Sequence, residues 1–156
     1  MTNQIAPLEI GITVRNLGAM ISFYRDVLCF NLISEIDVDS NKSLEAGFVT
    51  GGYRIVRMET NYGERIKLVR PVIEPGERAS GNEVLSTTGN VFLTFIVDDL
   101  KSLVKRVKTA GVPKRTQDDI TEVRPGIFLS IFDDPEGNHL EFVEYRNIAE
   151  YRPQLK

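Results

Sequence analysis

Two stretches of this chain repeat each other. The run ending Asn61-Tyr-Gly63-Glu-Arg-Ile-Lys-Leu-Val-Arg70 aligns with the run ending at Glu144 so that Gly63 falls on Gly137, with apolar positions coinciding on both sides. The segments that open each half also match, Leu8–Leu17 against Val91–Leu100. A duplicated unit of this size cannot bury its apolar face alone, so the copies are expected to cover each other around a shared concavity. Any function is expected in that concavity.

The periodicity within each copy predicts the same order of elements. Leu8, Ile10, Ile12 and Val14 alternate with smaller or polar residues, as a strand with one buried face does. Asn16 is placed to cap a helix in which Leu17, Met20, Ile21, Tyr24, Val27 and Leu28 recur at helical spacing. A strand over Phe30–Ile36, a polar loop over Asp37–Leu44, and a hairpin made from Phe48–Thr60 and Arg65–Arg70 complete a βαβββ unit. The second copy predicts a strand over Val91–Val97, then a helix capped by Asp98 or Asp99 and closed by Gly111. A strand near Val112 and a hairpin of Ile127–Phe132 with Asn138–Tyr145 follow. The expected architecture is α+β: two tandem βαβββ modules curled into an open, barrel-like cavity within one domain spanning residues 1–156. Module one runs over about 6–71, a Pro/Gly/Ser/Thr-rich connector over 72–90, module two over 91–146, and a polar tail over 147–156.

Composition narrows the function classes. A net charge of −3, with no long basic run, argues against non-specific nucleic-acid binding. No basic region followed by an apolar stretch opens the chain, and no apolar run approaches a membrane span, so the expectation is a cytoplasmic protein with no membrane partner. Cys29 stands alone, which excludes an internal disulfide and suggests a small side chain packed at the end of a helix.

Two motifs resemble the vicinal oxygen chelate superfamily, which includes glyoxalase I, bleomycin-resistance proteins and extradiol dioxygenases. They are Ile21-Ser-Phe-Tyr-Arg-Asp-Val-Leu-Cys-Phe30 and Asp134-Pro-Glu-Gly-Asn-His-Leu-Glu-Phe142, in the right order and over roughly residues 8–145. Cys29 occupies a place where that superfamily usually has glycine. The resemblance implies a small-molecule site and a homodimer. It admits a lyase or isomerase activity of the glyoxalase type without requiring one, because plain binding proteins share the fold.

In metal-binding members, one residue from the first and one from the last strand of each module holds a divalent ion. Carried over, the resemblance puts Glu9, Lys67, Phe92 and Glu141 at those positions. Alternation along the strands places all four side chains on the faces opposite the core. Charged lysine has no lone pair to give and phenylalanine none at all, so the usual site is broken and no cofactor is expected. As an alternative, Glu9, His139 and Glu141 would supply two carboxylates and an imidazole to a divalent metal. The default for His139 is a partly exposed residue near the hairpin.

The reading that follows is a cavity in which Lys67 replaces the metal. Its ammonium, flanked by Glu9 and Glu141, would bind or isomerise an anionic or carbonyl-bearing metabolite, with one acid moving a proton. Arg65, on the Lys67 face, is a candidate for reading a carboxylate or phosphate. Phe92 and His139 are further ligand-binding candidates, and Phe92 with Phe48 and Phe128 would form an aromatic wall in a protein that sequesters an aromatic drug. Glu74, Glu77, Arg78 and Glu83 in the connector read as solvated, and the connector itself as a lid.

Overall fold

The computed structural model describes residues 3–77, 84–86 and 88–154. The chain divides into two compact units, Met1–Glu77 and Arg78–Lys156. In the first, the order is β1 (Glu9–Thr13), α1 (Leu17–Ser22), β2 (Asn31–Val38), α2 (Ser40–Glu45), β3 (Tyr53–Glu59) and β4 (Arg65–Pro71). Its four strands form one sheet in the order β1-β4-β3-β2, with β1 parallel to β4 and the other neighbours antiparallel. The second unit contains β5 (Phe92–Ile96), α3 (Leu100–Thr109), β6 (Thr121–Arg124), β7 (Ile127–Asp133), β8 (His139–Tyr145) and α4 (Ile148–Tyr151). Its sheet, β5-β8-β7-β6, repeats the first strand for strand. Each unit is βαβββ, and both sheets are unclosed.

The duplication seen in the sequence survives in the register. β3 and β7 start at aligned residues and each has seven, and so do β4 and β8. Equivalent backbone bonds close the two hairpins: Thr60 N–H donates to Glu64 O at 3.0 Å, and Asp134 N–H to Asn138 O at 2.9 Å. Gly63 and Gly137 take the positive φ these turns need.

Alternation then sorts side chains between faces. In the first sheet Val56, Met58, Ile66 and Leu68 are buried on one face together with Met20 and Tyr24 of the helical segment. In the second, Leu93, Phe132, Leu140 and Phe142 are buried with Leu103, Val104 and Val107 of α3. Each such side chain contributes roughly 1.5–3 kcal/mol on burial. The opposite faces carry the chemistry.

Caps explain the helix boundaries. Asn16 Oδ1 accepts from Ala19 N–H at 3.0 Å, Asp99 Oδ1 accepts from Ser102 N–H at 2.9 Å, and Gly111 ends α3 at φ 73°. Beyond α1 the chain widens into a π-helical turn, Phe23–Val27, with Leu28 N–H reaching Phe23 O at 3.2 Å. That turn ends on Cys29 at φ 61°, the one non-glycine residue of positive φ among the described residues. Cysteine keeps the left-handed exit that glycine would adopt freely. It is exposed, not packed as expected.

Several local expectations differ from the structure. The polar loop over Asp37–Leu44 contains α2, capped by Asp39, whose carboxylate accepts from Asn41 and Lys42 N–H. The strand expected from Phe48 begins only at Tyr53. Before it, Gly51 and Gly52 adopt positive φ, and a Cβ on Gly52 would lie 2.5 Å from Val38 O. The strand expected near Val112 is a single bridge, Lys114 to Phe132, and the regular edge strand is β6. The polar tail folds back through α4, stacking Tyr151 on Tyr145 with ring centroids 4.4 Å apart. Glu74 and Glu77 are solvated as expected, and from the surface both accept from the Arg15 guanidinium, Glu74 from Nε and Glu77 from Nη1 at 2.8 Å each. Arg78 and Glu83 lie outside the described residues. No helix among the described residues is long and apolar enough to cross a membrane.

The backbone at residue 29 generates a stability prediction. A non-glycine residue in the left-handed region costs about 1–2 kcal/mol, so Cys29→Gly should raise the urea midpoint by an amount equivalent to about 1 kcal/mol. Cys29→Val should lower it. A destabilised glycine variant would show that the exit is held by the cysteine side chain instead.

Candidate functional site

On the first sheet, the face opposite the core carries an unusual charge pattern. Register places Glu9 of β1 beside Arg65 of β4, Arg65 beside Glu59 of β3, and Lys67 beside Arg57. Two cations therefore sit directly opposite each other across an antiparallel pair, which weakens strand pairing unless a counter-charge intervenes. Glu9 supplies it. Its Oε2 lies 3.8 Å from both Arg57 Nε and Lys67 Nζ, and its Oε1 3.7 Å from Arg65 Nη1. None of these is as short as a hydrogen bond. Arg65 spends its geometry elsewhere, donating from Nε to Glu59 Oε2 at 2.5 Å, and this bond is the main cause holding its guanidinium above its ordinary pKa.

Lys67 and Arg57 thus share one carboxylate at a distance. Three cations and two carboxylates leave this cluster with one positive charge over. The β1 residue paired with Lys67 is Gly11, and nothing lies within 4 Å of where its Cβ would be. No side chain therefore covers the sheet beside Lys67 on the Gly11 side, and Lys67 and Glu9 are each about one-third exposed. A carboxylate, phosphate or polarised carbonyl has room to approach there.

In the second unit the corresponding face carries Phe92, His139 and Glu141, with Phe92 paired to His139 and Thr94 to Glu141. Thr94 Oγ1 donates to Glu141 Oε2 at 2.6 Å. Phe92 is 41 % exposed. Phe128 does not join it. The register of β7 against β8 puts Phe128 with Ser130 and Phe132 on the other face, where Arg146 lies over its ring at 5.6 Å. Phe48 belongs to the first unit and packs on Tyr53, with centroids 5.6 Å apart.

His139 is not partly exposed but buried, with 4 % of its surface accessible. Its Nδ1 lies 2.8 Å from Asp133 Oδ1, and Asp133 is in turn bound by Arg115. Neither Asp133 nor Arg115 stood out in the sequence. The signal was present, because the alignment sets Asp133 on Glu59 and His139 on Arg65: both hairpins pair an acid on the third strand with a base on the fourth. Asp134, by contrast, builds the turn, its carboxylate accepting from the N–H groups of Glu136 and Asn138 at 3.0 and 2.9 Å and from Asn138 Nδ2 at 2.8 Å.

The four positions marked by the resemblance do not suit a metal ion. Lys67 and Phe92 present no donor, and Lys67 puts an ammonium beside Glu9. Glu141 and His139 sit in the second unit and Glu9 in the first. Neither unit by itself gathers three His, Cys, Asp or Glu side chains as a metal would need, among the described residues. A groove of about 550 Å³ elsewhere in the first unit is lined by Asp37, Tyr53, Arg54 and Arg70, whose charged side chains are engaged within the chain. Arg54 binds Asp37 at 2.7 Å, and Arg70 donates to Arg15 O at 2.7 Å.

Comparison with known proteins follows the same lines. The profile of the glyoxalase/bleomycin resistance protein/dioxygenase superfamily matches residues 4–142. A glyoxalase family protein from Bacillus cereus superposes with a TM-score of 0.79 at 20 % identity, over 94 % of this chain and 97 % of that one. The trypanothione-dependent glyoxalase I of Leishmania major gives 0.68 at 20 % identity, over 97 % and 94 %. A glyoxylase/bleomycin resistance protein/dioxygenase domain from Frankia sp. EAN1pec gives 0.68 at 19 %, over 94 % of each. At these identities the likeness is one of fold. No curated protein sequence matches the chain.

The charge cluster makes a prediction of its own. Glu9→Gln leaves Arg57 and Lys67 facing each other without their shared counter-charge, and should cost roughly 0.5–1 kcal/mol of stability, less in high salt. Adding Lys67→Met should restore most of that loss. Strictly additive single and double variants in a denaturation cycle would mean that the charges do not interact.

Proposed function

The chain belongs to the glyoxalase/bleomycin resistance protein/dioxygenase superfamily, and we propose that it works there without a resident metal, binding or isomerising an anionic or carbonyl-bearing small molecule against Lys67. The observation that carries this reading is the cross-strand pair Lys67–Arg57 beside Gly11. Two like charges held side by side lower the stability of the sheet. An incoming anion, accepting from Lys67 Nζ and Arg57, relieves that repulsion. The ligand then supplies the negative charge that one distant carboxylate only partly provides.

Glu9 is the group placed to handle a proton. It lies 3.8 Å from Lys67, so a ligand carbonyl oxygen bound at the ammonium would bring its neighbouring carbon toward the Glu9 carboxylate. Lys67 would stabilise the negative charge that develops on the oxygen when that proton leaves. Glu59, already bonded to Arg65, holds that guanidinium aside and sharpens the role of Lys67 and Arg57. A homodimer belongs to the same proposal, supported by the edge strand β2, which exposes Leu32, Ile33 and Ile36.

Titration calorimetry with small 2-oxo carboxylates and their neutral amides tests the reading. Carboxylates should bind and amides should not, and Lys67→Gln should weaken binding by about 10- to 100-fold, the worth of one charge-assisted hydrogen bond. Protein purified without chelator should carry far less than one equivalent of zinc, nickel, iron or manganese. Stoichiometric metal lost on Glu141→Gln, or equal affinity of Lys67→Gln and the wild type, would overturn it. Mass spectrometry of the bound compound then separates binding from turnover.

A further inference from the structure

One row of charge lies on the core face of the first sheet, just beyond the buried cross-strand pair Val56 and Leu68. Register sets Asp37 of β2 beside Arg54 of β3, and Arg54 beside Arg70 of β4. These three side chains line the groove of about 550 Å³, with Leu17, Val38 and Val72 as its apolar walls. That volume falls within the range of small-molecule sites.

The two arginines are held in different ways. Arg54 is paired with a charge, Nε donating to Asp37 Oδ1 and Nη2 to Oδ2, each at 2.7 Å. Arg70 is held by neutral oxygens, Nε donating to Arg15 O at 2.7 Å and Nη1 to Pro71 O. Among the described residues no carboxylate pairs with Arg70. Asp37 stands two strands away, roughly 10 Å along the row at the usual strand spacing. Glu74 is close enough to sense Arg70, but it is bound to Arg15 and 57 % exposed, so water screens the attraction.

Two backbone carbonyls thus aim a guanidinium without neutralising it. Its third nitrogen, Nη2, donates to no described residue, yet no buried side-chain nitrogen or oxygen among the described residues lacks a partner. Nη2 therefore meets solvent, in a residue that lines the groove. Arg54 Nη1 likewise has no acceptor among the described residues. Like charges directly opposite each other on an antiparallel pair weaken the pairing. On the other face Glu9 stands near both Arg57 and Lys67, but no carboxylate does this for Arg54 and Arg70.

Two guanidiniums and one carboxylate leave the row with one positive charge. A monoanion makes it neutral, whereas a phosphate monoester, with nearly two negative charges, overshoots beside Asp37. Next to the charge the groove is apolar. Val72 is 71 % exposed and is fixed in place, its N–H donating to Gly52 O at 3.0 Å. An alkyl chain laid along it would remove that surface from water.

We propose that this groove is a ligand site distinct from that at Lys67, and that it takes the carboxylate of a short, apolar acid. The carboxylate accepts from Arg70 Nη2 and Arg54 Nη1, and the alkyl chain lies along Leu17, Val38 and Val72. The site is on the opposite face of the sheet from Lys67 and does not depend on it.

The experiment uses the full chain and hexanoate as probe, read by the arginine Nε–H and valine methyl signals in NMR spectra. Hexanoate should shift the Arg54, Arg70 and Val72 signals saturably, and hexanamide, similar in shape but uncharged, should not. Arg70→Gln should weaken binding roughly tenfold or more, the worth of a charge-assisted hydrogen bond. That change also alters the bonds to the backbone, so Val72→Glu gives a second reading. It sets a carboxylate at the groove from an exposed position and should weaken hexanoate binding as strongly. Lys67→Gln, on the other face, should leave the affinity within about twofold. Unshifted Arg70 and Val72 signals, equal binding of hexanamide, full affinity in Arg70→Gln or Val72→Glu, or binding lost in Lys67→Gln would each overturn the proposal.

Discussion

Cross-strand register in the two sheets is the constraint on which every site described depends. The parallel pairing of the first strand with the last, β1 with β4 and β5 with β8, sets Gly11 beside Lys67 and Thr94 beside Glu141. The antiparallel hairpins set Arg57 beside Lys67 and Asp133 beside His139. A slip of one residue in either would carry these side chains to the core face and bring Leu68 or Leu140 out of it. The hairpin turns prevent the slip. Gly63 and Gly137 supply the positive φ, and Asp134 ties down the second turn by accepting hydrogen bonds from the backbone it encloses.

That shared framework carries two different charge arrangements. Both copies retain an acid at the end of the third strand facing a base at the start of the fourth. In the first copy the pair is Glu59 with Arg65, set beside Glu9, Arg57 and Lys67 in a half-exposed, net positive cluster. In the second it is Asp133 with His139, desolvated and buttressed by Arg115. The first is the cluster proposed to take an anion, because Arg57 and Lys67 share one carboxylate at 3.8 Å. The second is a closed arrangement, because Asp133 is shared between Arg115 and His139 and both Asp133 and His139 are buried. Where relatives by resemblance place metal donors, Lys67 and Phe92 offer none.

Much of the fold was legible because hydrophobic alternation and helical spacing are local patterns. The capping roles of Asn16 and Asp99, the exit at Gly111 and the hairpins around Gly63 and Gly137 follow from residue types at fixed offsets. Elements with short or mixed patterns were not legible. α2 is six residues of polar sequence whose signal is the Asp39 cap alone, and β6 is four residues set at an edge. Cys29 illustrates the limit at a single residue: its helix-end position was clear, but its exposure depended on how the π-helical turn left the helix.

The sequence by itself determined the duplication, the βαβββ order and the faces of the strands that alternate cleanly, because a period of two is written in those strands. Its resemblance to the superfamily put Lys67 and Phe92 at positions where metal-binding members have donors. Only the tertiary structure decided that Arg57 joins Lys67, that Phe128 parts from Phe92, and that Asp133 and Arg115 fix His139. Those outcomes depend on which residues of separate strands come to lie opposite one another. Register, edge segments and burial set that choice, and they exist only once the sheet has formed.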